Sequence, residues 1–132
     1  LRTTIIDLML GFRKELGLTY LFVTHDLAVA KYISDRIAIM YLGKIIEIGS
    51  KESLFKNPLH PYTKALLSAI PVPEPKKRRE VIELEGEVPS AINIPPGCRF
   101  SSRCPFKKDE CTQTEPELVE AEKDHFVACY LS

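Results

Sequence analysis

Apolar positions recur at helical spacing at the start of the chain and then give way to a strand-like run. The spacing predicts a helix over residues 3–16, and Gly17 stands where a helix C-cap is expected. Residues 18–24 are apolar and rich in β-formers, which predicts a strand buried on both faces of a parallel sheet. Asp26 is the predicted N-cap of a short helix that ends before Asp35.

Two Ile-rich runs follow and predict a β-hairpin. The strands are expected at Arg36–Tyr41 and at residues 44–48, with Leu42 and Gly43 forming the turn between them. Ser50 then caps a helix of one or two turns that stops before Pro58, because the residue preceding a proline disfavours helical geometry.

The second half of the chain carries weaker periodicity. A helix is predicted over residues 61–70, with a proline in the first turn, and short strands over residues 81–84 and 126–131. Residues 87–97 contain three prolines and predict a loop or an extended arm. The basic run at residues 76–79 is typical of a solvated loop.

The chain divides into three compositional blocks. Residues 1–57 are regular and apolar, residues 58–96 hold eight of the ten prolines, and residues 97–132 hold all four cysteines. The first block predicts an α/β layered domain, but it supplies only one convincing parallel strand. We therefore expect the C-terminal portion of an α/β domain, then a Pro-rich linker, then a small, loop-rich, Cys-containing extension.

Composition and charge exclude several classes of protein. The 132 residues are 45% apolar and 27% charged, which is a globular composition rather than a disordered one. Eighteen basic residues balance eighteen acidic ones, so nothing in the charge points to a nucleic-acid partner. No apolar run reaches the roughly 18–20 residues needed to span a bilayer, and the N-terminus lacks a signal-peptide pattern.

A polar trio, Thr24, His25 and Asp26, follows the predicted buried strand. Ligands of open α/β sheets bind at the carboxyl ends of strands, so His25 is placed to donate a hydrogen bond to a phosphate or to a catalytic water. The alternative is that His25 only satisfies backbone groups at the end of the strand.

The cysteines give a stronger chemical signal. Cys98, Cys104, Cys111 and Cys129 are separated by five, six and seventeen residues. Four thiolates can hold an iron–sulfur cluster or a tetrahedral zinc ion, but zinc sites favour shorter C-x2–4-C gaps. Structural thiols and two disulfides remain alternatives, although disulfides conflict with the absence of a secretory signal.

Several catalytic motifs are absent from the 132 residues. The sequence has no G-x-x-x-x-G-K-S/T phosphate loop, no apolar run followed by Asp-Glu, no H-E-x-x-H and no G-x-S-x-G. His25, His60 and His125 lie far apart in the sequence. The chain by itself is therefore not expected to be an enzyme.

Taken together, the residues resemble the ATP-binding subunits of ABC transporters, in the dipeptide/oligopeptide importer branch. Residues 17–27 (GLTYLFVTHDL) resemble the H-loop segment that carries the switch histidine of these ATPases, and the resemblance covers essentially the whole chain. It continues through residues 33–37 (ISDRI), 40–49 (MYLGKIIEIG), 57–63 (NPLHPYT), 96–100 (PGCRF) and 103–106 (RCPF). The last three runs are specific to the branch.

The resemblance implies a role for each candidate residue. His25 matches the switch histidine that contacts the γ-phosphate of ATP in the parent protein. Cys98, Cys104, Cys111 and Cys129 match cysteines that hold a 4Fe–4S cluster in members of the family. The implied fold is the C-terminal part of a RecA-like P-loop ATPase domain followed by the Cys-containing extension.

The resemblance also implies cofactors and partners. The parent would bind ATP and Mg²⁺, work with membrane permease subunits and a second ATPase subunit, and lie peripherally on the cytoplasmic face of the cell membrane. The phosphate loop and the other ATP motifs would precede Leu1, so we expect the isolated chain neither to bind ATP tightly nor to hydrolyse it. The apolar helix and strand at its start predict self-association. The alternative reading is a self-standing Cys-ligated iron–sulfur or zinc module with a regulatory or assembly role.

Overall fold

The computed structural model describes residues 2–71 and 80–131, and it divides into two compact units, Leu1–Asp35 and Arg36–Ser132. The elements are α1 (Arg2–Leu16), α2 (Leu27–Ile33), β1 (Arg36–Tyr41), β2 (Lys44–Ser50), α3 (Lys51–Lys56), α4 (Pro61–Ser68), a 3₁₀ turn (Ser101–Arg103), α5 (Glu110–Gln113), β3 (Val119–Glu122) and β4 (His125–Val127). None of the described helices combines the length and the apolarity needed to cross a bilayer. The predicted basic loop at residues 76–79 lies outside the described residues.

The first unit confirms both predicted helices. Helix α1 ends at Leu16, and Gly17 follows it with φ of 65°, the left-handed geometry that glycine adopts at a helix end. Asp26 caps α2 by accepting from the backbone N–H groups of Ala28 and Val29. Within the unit, the Tyr32 hydroxyl donates to Asp7 at 2.8 Å.

The predicted buried strand at residues 18–24 was wrong. These residues are irregular and exposed, and Leu21 and Val23 keep 96% and 87% of their surface accessible. A strand needs a neighbour that pairs with its backbone N–H and C=O groups, and no described residue supplies one to this segment. The β-forming composition is present, but the pairing partner is not.

The second unit is built on one four-stranded sheet in the order β1-β2-β4-β3. Every pairing in it is antiparallel. The hairpin between β1 and β2 is confirmed: Leu42 and Gly43 both have positive φ, 45° and 77°, as a tight two-residue turn requires. The described part of the chain thus mixes helices with an antiparallel sheet, and the parallel strand expected of the α/β class is not among its elements.

The remaining elements match the predictions in part. Ser50 caps α3 and the Pro61 helix forms, but residues 81–84 form no strand, since they lack a backbone partner in the sheet. The C-terminal strand is confined to His125–Val127, and β3 was not predicted. All four residues of β3 are exposed, so its short Val-Glu-Ala-Glu alternation does not mark a buried face.

The core of the second unit lies where the sheet meets α3, α4 and the Cys-bearing loops. Leu54, Phe100 and Val127 are at most 1% exposed. Phe100 packs edge-on against Tyr41, with ring centroids 5.3 Å apart, and also contacts the rings of Tyr62 and His60. Because β2 pairs with β4, residues from the first and third compositional blocks share one sheet. The predicted domain boundaries after residues 57 and 96 stay a prediction about the longer protein.

Candidate functional site

The His-Pro-Tyr segment begins helix α4 and fixes the position of a buried imidazole. His60 is the N-cap residue, and its Nδ1 accepts from the backbone N–H of Tyr62 at 3.1 Å. Pro61 occupies the first helical position, where its missing N–H costs no hydrogen bond. The His60 side chain is only 1% exposed, so the cap places its ring inside the protein.

A buried carboxylate holds this segment against the sheet. Glu47 of β2 is fully buried; its Oε1 accepts from the Leu59 N–H at 2.8 Å, and its Oε2 accepts from the His60 N–H at 2.9 Å. His125 of β4 contributes a third contact, with Nε2 2.7 Å from Glu47 Oε1. Buried charge is costly unless it is paired, and these three contacts satisfy the carboxylate. Glu47 therefore joins β2, β4 and the start of α4.

The imidazole of His60 is neutral at physiological pH. Burial lowers its pKa from 6.5 to about 4, and the positive charge of Lys64 acts in the same direction. The nearby Glu47 carboxylate opposes this shift, but burial dominates.

The four cysteines come from separate elements and line one cavity. Cys98 and Cys104 flank the 3₁₀ turn, Cys111 lies on α5, and Cys129 follows β4. Their side chains share the cavity with His60, Pro61, Phe100, Ser101, Pro116, Tyr130 and Leu131. The sequence predicted that these cysteines form one site, and the structure brings them to the same cavity.

The backbone around the cysteines is closely fitted. Cys98 N–H donates to the Cys111 carbonyl at 2.7 Å, which joins the two loops. Gly97 has φ of 87°, and a Cβ at this position would lie 2.4 Å from the Cys111 carbonyl oxygen. Only glycine fits here, because a side chain would clash with backbone and strain the left-handed geometry.

Each cysteine sulfur accepts a backbone N–H. The donors are Phe100 for Cys98, Phe106 for Cys104, Lys108 for Cys111 and Leu131 for Cys129. No disulfide joins these cysteines. Burial is the main influence on the thiols, and it raises the pKa of Cys98, Cys104 and Cys129; the N–H donors oppose that rise. The donors point at positions where negative charge would develop on sulfur.

Four cysteine sulfurs are a donor set that either a zinc ion or an iron–sulfur cluster can use. Zinc requires its sulfurs to converge at about 2.3 Å from one point. Within residues 2–71 and 80–131, no three Cys, His, Asp or Glu side chains converge in that way. The space between them is about 10 Å³, room for about one water molecule.

His25 lies in the first unit, at an exposed bend directly before the N-cap Asp26. The backbone N–H of Asp26 donates to Thr24 Oγ1 at 3.0 Å, which shapes this bend. The expected position of His25 at the end of a strand was wrong, because residues 18–24 form no strand.

Comparison with known proteins decides the family. Residues 46–111 match the sequence profile of the oligopeptide/dipeptide transporter C-terminal region, which spans the His-Pro-Tyr segment and three of the four cysteines. The chain belongs to this family. The resemblance drawn from the sequence is thereby confirmed.

Relatives in this family align along nearly the whole chain. It is 51% identical over 129 residues to the putative oligopeptide transport ATP-binding protein YkfD of Bacillus subtilis, and 50% identical over 133 residues to the oligopeptide transport ATP-binding protein AppF of the same organism. It is 47% identical over 131 residues to the oligopeptide transport ATP-binding protein OppF of Salmonella typhimurium. These alignments cover 96–99% of the chain but only 39–40% of each relative.

Sequence reasoning missed the buried polar groups behind the cavity. It took the His-Pro-Tyr segment as a family marker and gave no role to Glu47, His60 or His125. One signal was available: Glu47 is the only charged residue between Ile45 and Ser50, a stretch of β2 that is otherwise apolar or small. A lone carboxylate in such a run indicates a buried, paired charge.

Proposed function

We propose that the chain is the C-terminal part of the ATP-binding subunit of an oligopeptide or dipeptide ABC importer. The subunit couples ATP hydrolysis to uptake of the solute across the cytoplasmic membrane. The observation that carries this proposal is the identity of 47–51% to oligopeptide transport ATP-binding proteins, sustained over nearly all of the chain. The comparisons give no support to the alternative of a self-standing regulatory module.

In the parent protein, His25 contacts the γ-phosphate of ATP and links hydrolysis to the partner subunits. The phosphate-binding loop, Mg²⁺ and most of the nucleotide site belong to the parent, because these 132 residues contain no G-x-x-x-x-G-K-S/T sequence. The partners are membrane permease subunits and a second ATPase subunit at the cytoplasmic face of the membrane. The exposed bend at His25 leaves the imidazole accessible for this role.

The experiment is a chimera of AppF in which this chain replaces the aligned C-terminal part. We expect the chimera to support ATP-dependent uptake of a radiolabelled peptide in cells that lack AppF. A chimera with His25→Ala should bind ATP but lose uptake, while one with the exposed Glu52→Gln should retain it. A folded, membrane-associated chimera without uptake would contradict the proposal, as would full uptake with His25→Ala.

The four cysteines provide a second proposed element, a thiolate site for a 4Fe–4S cluster. What supports it is the shared cavity and the backbone N–H donor at each sulfur. The cluster, when bound, supplies four iron–thiolate bonds that tie the loops of Cys98, Cys104 and Cys111 to the end of β4. Anaerobically purified protein should then contain about four iron and four sulfide per chain. Colourless protein with about one zinc would contradict a cluster.

A further inference from the structure

Two of the cysteine-bearing segments touch through their backbones. The Cys98 N–H donates to the Cys111 carbonyl at 2.7 Å. With standard covalent dimensions on either side, this hydrogen bond limits the separation of the two Cα atoms to roughly 6.6 Å at most. Disulfides join cysteines whose Cα atoms are about 4.4–6.8 Å apart. The backbone as it stands therefore holds Cys98 and Cys111 within the reach of a disulfide.

Gly97 allows this close approach. Its φ is 87°, and a Cβ on it would lie 2.4 Å from the Cys111 carbonyl oxygen and 2.7 Å from the carbonyl carbon of Thr112. A side chain here would push the Cys98 backbone away from Cys111. The glycine before Cys98 thus serves the contact between the two cysteine-bearing segments as well as its own turn.

The two sulfurs also share one environment. Cys98 and Cys111 line the same cavity, which has room for about one water molecule. Burial is the main cause of the raised pKa of the Cys98 thiol, and Cys111 is among the charges that add to the rise. The two sulfurs are therefore close enough to interact electrostatically. In the described structure they are not joined by a disulfide.

The two thiols differ in exposure, which sets the order of an oxidation. Cys98 is half-buried, whereas Cys111 keeps only 6% of its surface accessible, so a reagent from solution meets Cys98 first. The Cys98 sulfur attacks one sulfur of glutathione disulfide, forms a mixed disulfide and releases one glutathione. The Cys111 sulfur then attacks the Cys98 sulfur and releases the second glutathione. Two thiol protons and two electrons have passed to the reagent, which is reduced.

We propose that Cys98 and Cys111 form a redox-active dithiol, whose sulfurs join in a disulfide when the chain meets a disulfide oxidant such as glutathione disulfide. This modification goes beyond the proposed transport function, and it requires no bound metal. The disulfide removes two of the four thiols from the cavity. A centre that needs four thiolates then cannot assemble in the oxidised chain.

Tryptic digestion makes the pairing directly readable. Cleavage sites separate all four cysteines from one another, so that each lies on a different peptide; these sites are Arg99, Arg103, Lys107 and Lys123. Mass spectrometry of an unreduced digest therefore assigns every crosslink to one pair of cysteines.

The experiment uses the full chain, purified under argon with a chelator and then treated with glutathione disulfide. We expect a loss of two hydrogen atoms per chain, a crosslink between the peptides of Cys98 and Cys111, and reversal by dithiothreitol. The double variant Cys104→Ser, Cys129→Ser should form the same disulfide. Its matched control, Cys98→Ser with Cys111→Ser, should form none. Cys111→Ser alone should retain glutathione on Cys98, because the thiol that displaces it is missing.

Two outcomes with the unsubstituted chain overturn the inference, and neither depends on a variant folding. One is a crosslink that joins a different pair of cysteines, or two chains, in place of Cys98 with Cys111. The other is a chain that gains only glutathione adducts, or does not react, under conditions that oxidise a small dithiol completely. Failure of the proposed transport function is distinguishable from both, because peptide uptake does not enter these measurements.

Discussion

Replacement of Glu47 by glutamine tests whether one buried carboxylate holds the second unit together. Glu47→Gln preserves the shape of the side chain but turns one of its two oxygens into an NH₂ donor. The backbone N–H groups of Leu59 and His60 each face a different oxygen, at 2.8 and 2.9 Å. Whichever way the amide is turned, one of these backbone donors meets another donor.

The expected cost follows from that mismatch. At least one buried N–H loses a charged acceptor, and the His125 contact at 2.7 Å weakens because the amide carries no charge. A hydrogen bond to a charged group contributes about 1.5–3 kcal/mol, so we expect a loss of about 2–3 kcal/mol in the free energy of unfolding. For a unit of this size that corresponds to a fall in Tm of roughly 8–20 °C.

The assay is urea unfolding followed by near-ultraviolet circular dichroism, which reports on the packed rings of Tyr41, Tyr62 and Phe100. Glu52→Gln is the control, since Glu52 is exposed and its contact with Lys51, at 4.0 Å, is a surface ion pair of little value. A loss below about 0.5 kcal/mol in Glu47→Gln, within the range of surface substitutions, would refute the argument that the carboxylate joins β2, β4 and α4.

Two further predictions concern acidification and association. The pKa of His60 is about 4 in the folded chain and 6.5 in the unfolded chain, so the unfolded state binds more protons between pH 6.5 and 4. The free energy of unfolding should therefore fall by roughly 3 kcal/mol as the pH drops from 6.5 to 4. The difference in unfolding free energy between wild type and His60→Asn, measured by urea titration from pH 7 to 4, should shrink accordingly; a constant difference would contradict it. The exposed side chains of Leu21 and Val23 should cause self-association of the chain, measured by light scattering. The double variant Leu21→Lys, Val23→Lys should associate less. A wild-type chain that is monomeric at low micromolar concentration would contradict this prediction.

Local chemistry was predictable from the sequence because its causes lie within a few residues. Gly17 and Asp26 delimit the first two helices through their own backbone and side-chain preferences. The Leu42-Gly43 turn is fixed by positive φ at two adjacent residues, and Ser50 caps α3 through its own hydroxyl. The family was also readable, since its markers are short and contiguous.

Strand pairing and the assembly of the site were decided by tertiary structure. Residues 18–24 have the composition of a buried strand but form none, because a strand exists only where another backbone satisfies its hydrogen bonds. The exposed strand β3 shows the converse: none of its residues is buried, yet it forms because β4 lies beside it.

The cavity is the clearest case of a feature beyond local sequence. Cysteine spacing predicted that four thiols act together, but not that His60 joins them, since His60 lies thirty-eight residues before Cys98. What brings it there is the Glu47 carboxylate, which holds the N–H of His60 and the ring of His125 across a sheet. Each short segment carries its own caps and turns in its residue types. Which segments meet depends on the folded chain, because long-range packing and the pairing of buried charge involve residues far apart in the sequence.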